Sequence, residues 1–258
     1  MVIAQNKVHN LKKWFLQYTE SYTKCIDNHN INLKLEHTFK VCDDIITIGR
    51  ILNLKPVELR LAEIMGLFHD VARFEQYKNY GTFNDSASIN HAELGVEILK
   101  KENVLHDLDN EAQQIILKAI LYHNRLHLPA DEAEEILFYS KLLRDADKLD
   151  IFRIVTEYYA LPQKQRNKTL ELELPETPEF SEDILQQVTD GKDVDYHTLK
   201  SFNDFKLLQA GWVFTLNFTP TRTLLKNRHY LEIIRKNLPA DPRITALFTK
   251  INNHLTQY

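Results

Sequence analysis

Histidine is plentiful in this 258-residue chain and cysteine is scarce, eleven against two. Imidazole with carboxylate, rather than thiolate, is therefore the donor set the chain offers to a metal ion or a proton-transfer step. Helical periodicity aims several such groups at a core. His37 shares a stripe with Val41, Ile45 and Ile48. His69 falls four residues after Met65 and eight after Leu61, at the edge of a buried face, and Asp70 follows it. His123 lies with Ile116, Ala119 and Ile120, and Asp147 sits four after Leu143 and four before Ile151. A buried carboxylate without a partner is costly and neutralises or finds one. A divalent ion removes that cost for His and Asp together. Satisfied core histidines would explain any one of these positions, but they explain the whole set less well. The His-Asp dipeptide alone carries little. A second one, His106-Asp107, stands in the polar ENVLHDLDNE, which reads as a helix start where Asp is a natural cap.

The elements that must position these groups are helices. Only 6 glycines are present, where an average chain of this length carries about 18. No GxGxxG or GxxxxGK[ST] occurs, so backbone phosphate cradles of the dinucleotide-fold or P-loop kind have no candidate. Few glycines and 8 prolines also argue against many tight hairpins, hence against an all-β chain. Apolar residues recur at i, i+3 and i+4 over 8–20, 33–54, 57–74, 88–101, 110–122 and 131–160, and again over 181–189, 196–216, 221–237 and 243–256. The stretch QYKNYGTFNDSASIN between the third and fourth of these reads as a loop, with Asn84-Asp85-Ser86 placed to cap the next helix. Residues 161–180, LPQKQRNKTLELELPETPEF, hold three prolines and dense charge and read as a linker or excursion with a short strand at Leu170–Leu174. The expected organisation is an all-α core over 1–160, that linker, and a C-terminal helical extension over 181–258 packed on the core.

Taken in order, the motif residues resemble the HD superfamily of metal-dependent phosphohydrolases, whose pattern is H…HD…D on an all-α domain. Here it reads LEHTFKV at His37, GLFHDVARF at His69-Asp70 and DADKLD at Asp147, across roughly residues 33–153. Periodicity leaves Asp145 and Asp147 open. The family's last ligand sits in an A-D-[KR]-[LIW] context, which selects Asp147 and leaves Asp145 and Asp150 as supporting or capping groups. His91 in SINHAELG and His123 in ILYHN extend the likeness to the H…HD…H…H…D arrangement of dinuclear members. There Asp70 would bridge two metals, and His91 and His123 would bind the second. Lys148 resembles a family residue that contacts substrate phosphate. Arg73 stands where the cyclic-dinucleotide phosphodiesterase branch has lysine and adds a bidentate fork. Ala72 replaces that branch's glycine and no GYP signature is present, so a cyclic dinucleotide substrate is unsupported. Glu75 is a candidate general base or water-orienting group, and Arg125 a candidate phosphate contact. His127, past the helix end, reads as a surface residue.

The resemblance implies a metal-dependent phosphohydrolase, acting on a nucleotide or other small phosphorylated metabolite through metal-activated water. Asp70, Arg73, Glu75 and Lys148 are its candidate catalytic residues, and Arg73, Arg125 and Lys148 its substrate contacts. It implies one or two divalent ions, Mn, Fe, Co, Ni or Zn, with Mg also admitted. The same ligand set resembles the dinuclear iron oxygenases of the superfamily, and a non-catalytic nucleotide-sensing module is a third reading. Net charge is −4, which gives no bulk attraction to nucleic acid or anionic membrane. The opening MVIAQNKVHNLKKWF lacks an apolar core of about 7–15 residues, so no secretory signal is expected. A cytoplasmic protein with Cys25 and Cys42 reduced follows. Arg222, Lys226, Arg228, Arg235 and Lys236 form a basic helix that reads as a solvated face. Trp212, Phe214 and Phe218 read as core or subunit contact, and a homo-oligomer is left open.

Overall fold

The computed structural model describes residues 3–24, 29–162 and 174–256. Among them every regular element is a helix, as the composition and periodicity led one to expect. Cys25 and residues 170–173 of the expected strand lie outside the described residues. The chain divides into two compact units, Met1–Asp150 and Ile151–Tyr258.

The first unit holds α1 (Gln5–Thr23), α2 (His29–Ile51), α3 (Pro56–Phe68), α4 (Arg73–Tyr80), α5 (His91–Lys101), α6 (Asn110–Tyr122) and α7 (Glu134–Ala160) as far as Asp150. Its centre is α3. Every residue from Leu61 to Ala72 is buried, as expected of a helix that is apolar all round and has neighbours on all sides. Gly66 lets α2 approach closely, since a Cβ there would stand 3.3 Å from Cys42 Cα. That approach brings the third turn of α2, with His37, beside the end of α3. On the other side, Phe15 of α1 makes edge contacts with Phe39, Phe68 and Phe74 at centroid distances of 6.0, 6.2 and 5.8 Å.

Two sequence expectations are corrected here. The helix expected over 57–74 ends at Phe68. Val71 N–H bonds to the Phe68 carbonyl at 3.1 Å and Arg73 N–H to the Asp70 carbonyl at 2.9 Å. These i→i+3 bonds turn the chain before α4, which starts at Arg73 within the expected helix and runs on to Tyr80 in the expected loop. The turn is as buried as the helix, so its apolar spacing imitates continuation. The cap of α5 is Asn90, whose Oδ1 accepts from Ala92 and Glu93 N–H at 3.0 and 3.3 Å. Asn84 caps a single 3-10 turn at Asp85–Ala87 instead.

The second unit holds the end of α7 with α8 (Glu182–Thr189), α9 (Phe202–Gly211), α10 (Thr219–Asn227), α11 (Tyr230–Lys236) and α12 (Pro242–Thr256). The helix expected over 196–216 starts only at Phe202, because Ser201 and Asp204 form a capping box there. The one expected over 221–237 breaks at His229, whose φ is 57°. The basic run is thus divided between α10 and α11. Trp212 packs edge-on to Phe152 at 6.0 Å. No helix among the described residues is long and apolar enough to cross a membrane. Cys42 is a buried free thiol whose pKa burial pushes up.

Candidate metal centre

Five segments converge on Asp70. His37 comes from α2, His69 and Asp70 from the turn after α3, His91 from the first position of α5, His123 from the C-cap of α6, and Asp147 from α7. Asp70 Oδ2 lies 3.6 Å from His37 Nε2 and 3.6 Å from His69 Nε2. Its Oδ1 lies 3.4 Å from His91 Nε2 and 3.9 Å from His123 Nε2. Asp147 Oδ1 closes the first side, 3.1 Å from His37 Nε2 and 3.7 Å from His69 Nε2. The single carboxylate therefore faces one pair of imidazoles with each oxygen.

Each imidazole is held from behind through Nδ1. His37 Nδ1 meets Asp150 Oδ2 at 2.7 Å, and His91 Nδ1 meets Asp85 Oδ2 at 2.6 Å. His69 Nδ1 donates to the Gly66 carbonyl at 2.8 Å and His123 Nδ1 to the Ile120 carbonyl at 2.6 Å. With Nδ1–H committed outward, a neutral ring presents an Nε2 lone pair inward, the arrangement in which supporting groups fix a metal-binding histidine. Burial pushes the His123 pKa down to about 3, with His91 and His69 adding to the effect. Burial and then Arg73 also lower His91. Both rings are neutral near pH 7, yet their Nε2 atoms stand 2.9 Å apart. Two lone pairs at that distance repel unless a cation lies between them. The donor set therefore fits a divalent transition metal on each side of Asp70, and two groups here are able to hold one: His37, His69 and Asp70, and Asp70, His91 and His123.

Residues 35–151 match the HD domain family. These residues are an HD domain. The segment contains every group named above, from His37 to Asp150. A crystal structure of a predicted HD superfamily hydrolase from an uncultured Thermotogales bacterium is similar at 22% identity, over 62% of this chain and 82% of that one, with a TM-score of 0.40. No curated protein matched the chain.

The HD domain treats the remaining candidates differently. Arg73 is committed within the protein: Nη1 donates to Gln76 Oε1 at 2.8 Å, the Phe83 carbonyl at 2.5 Å and Asp85 Oδ1 at 2.9 Å, and Nε reaches Asp70 Oδ1 at 3.4 Å. It clamps the 83–85 loop against the centre. Glu75 lies by Tyr18 and Tyr22, whose hydroxyl pKa values its charge helps to raise after the larger effect of burial. Lys148 follows Asp147 on α7 and is half-buried. Arg125 is exposed just past His123, with its guanidinium 4.7 Å from the Tyr122 ring centroid. His127 is exposed, as is His106-Asp107.

Two roles at the centre escaped the sequence reading. Asp85 sits in the loop, six residues before His91, and joins His91, Arg73 and Gln76. Lys34 donates to Asp70 Oδ2 at 2.7 Å. Its position one turn before His37 was a usable signal, since residues three apart on a helix share a face.

The backing carboxylates give a direct prediction. Asp150→Ala and Asp85→Ala should each weaken metal binding about 10–100-fold, at the His37 side and the His91 side respectively. Calorimetric titration with Mn2+ checks this, and unchanged affinity in both would refute the assigned roles.

Proposed function

We propose that the chain is a metal-dependent hydrolase that cleaves a phosphate ester of a nucleotide or other small phosphorylated metabolite. The observation that carries this reading is the inward aim of four Nδ1-anchored imidazoles on the two oxygens of one buried carboxylate. His37, His69, Asp70 and Asp147 would hold one ion, and Asp70, His91 and His123 a second. Divalent ions supply a water of lowered pKa and neutralise charge developing on phosphoryl oxygens. Among the six ligand candidates Asp147 has the most open side chain, 17% exposed against 4% or less for the others. The open edge at Asp147 is where a phosphate ester reaches the centre, while the imidazole side keeps bulk water out. Lys148, the next residue, and Arg125, past His123, are the cations offered to phosphate oxygens. Arg73, held by Asp85 and the Phe83 carbonyl, contributes fixed positive charge from the loop.

Metal quantification, followed by a screen of nucleotides, phosphomonoesters and phosphodiesters with the native ion, tests the proposal. Hydrolysis of none of them with Mn, Co, Ni, Fe, Zn or Mg would remove it.

Metal loading should also release a proton. His37 has a raised pKa: burial and Lys34 push it down, but hydrogen bonds to Asp147 and Asp150 outweigh them. His37 therefore holds a proton to higher pH than a free imidazole does, and a metal bound at Nε2 must displace it. Metal affinity should therefore fall as pH is lowered through that raised value, with a proton released as the ion binds. Titrations in buffers of different ionisation enthalpy measure the release, and none would contradict the assignment of His37.

A further inference from the structure

The Lys34 ammonium is an additional cation at the centre. Its Nζ is 2.7 Å from Asp70 Oδ2, the oxygen that also stands 3.6 Å from His37 Nε2 and from His69 Nε2. An ammonium and two imidazole nitrogens thus converge on one carboxylate oxygen. Arg73 addresses the other oxygen, and only through Nε at 3.4 Å. The two cations also differ in freedom. Arg73 is fixed by Gln76, the Phe83 carbonyl and Asp85. Lys34 has a flexible four-carbon stem, a side chain 18% exposed, and the Phe83 ring centroid 5.5 Å from its ammonium.

We propose that Lys34 is the counter-ion of Asp70, which a divalent cation must displace from Oδ2, so that Lys34 sets the affinity of the centre for metal. This rests on the metal-binding part of the function proposed above. A transition metal lies about 2.0–2.2 Å from a carboxylate oxygen that binds it. An ammonium held against the same oxygen would then face a double positive charge at short range, in surroundings that screen poorly. Asp70 needs a positive partner in either condition, because it is 3% exposed. Lys34 supplies that partner until an ion does, and the face of Phe83 gives the released ammonium a cation–π contact at the rim. The two cations are thus alternatives at one oxygen. After the opposing effect of burial, Lys34 is the group that does most to keep the Asp70 carboxyl low.

The experiment uses the full chain with Lys34→Gln and, independently, Lys34→Met. Each is titrated with Mn2+ near neutral pH and melted in EDTA and in excess Mn2+. Removing the ammonium should tighten Mn2+ binding by about tenfold or more. It should lower the melting temperature in EDTA and leave it unchanged in excess Mn2+, so that the metal-induced rise grows. Lys34→Arg, which keeps the charge, should bind Mn2+ like the wild type. A merely structural lysine would lower both melting temperatures together. Mn2+ binding that is unchanged or weaker in either neutral variant overturns the counter-ion role while leaving the metal centre standing. A wild-type chain that binds no Mn2+ overturns the centre itself and this inference with it.

Discussion

Asp70→Ala should strip the protein of all its metal. Both oxygens of this one side chain face imidazole pairs, at 3.6 Å on one side and 3.4–3.9 Å on the other. No other group described here addresses both pairs. Bound metal is expected to fall from about two ions per chain to almost none, since structural and catalytic metals depend on the full ligand count. Hydrolysis should fall about a thousandfold or more: the metal contributes several kcal/mol of charge stabilisation, and each 1.36 kcal/mol is about a factor of ten. The fold should weaken as well, because Lys34 and Arg73 lose their shared carboxylate. Partial exposure of both cations, 18% and 14%, moderates that loss. Elemental analysis after dialysis, with circular dichroism to confirm folding, checks the prediction. Full metal occupancy in a folded Asp70→Ala chain would sink the assignment.

The His91→Ala His123→Ala double variant divides the centre. It removes the pair whose lone pairs stand 2.9 Å apart, and leaves His37, His69, Asp70 and Asp147 in place. Metal content should drop from about two ions to about one, with the His37 side still loaded. Two further consequences follow from the surroundings. Asp85 loses its imidazole, so the opposing effects on its low carboxyl pKa shift: burial still raises it, while Arg73 and Gln76 still hold it down. The double variant also relieves a crowded, repulsive contact, so its metal-free form should not be less stable than the wild type by as much as two ordinary core deletions, which together cost several kcal/mol. Hydrolysis should fall strongly if both ions act on phosphate. Unchanged stoichiometry would remove His91 and His123 from the ligand set.

What the sequence showed and what it hid follow from range. Helical spacing is a local property, and it correctly indicated the fold class and the core-facing positions of His37, His69 and His123. The H…HD…H…H…D order named Asp70 and the five residues that the structure gathers around it. Sequence spacing is blind to partners that arrive from elsewhere in the chain. Asp85 matters because the loop folds back and Arg73 clamps it there; in sequence it is one polar residue in a polar run. The end of α3 was missed for a related reason. The turn through His69 and Asp70 is as buried as the helix before it, so its apolar pattern carried no sign of a stop. Asn90 and Asn84 offered equal cap chemistry, and tertiary contacts chose between them: Asn124 Nδ2 donates to Asn90 Oδ1 at 2.9 Å.

The five segments that meet at Asp70 span the first unit from residue 37 to residue 147. An ion gripped by His37 and Asp147 at once ties the two ends of that stretch. In chain-statistical terms it is a reversible cross-link, and closing a loop of about 100 residues in the unfolded chain is worth about 4–5 kcal/mol in the loop-closure estimate. The centre is then a fastener as well as a reactive site. A chelator acting on it works at the level of chain topology, loosening the whole first unit as it takes the ion away.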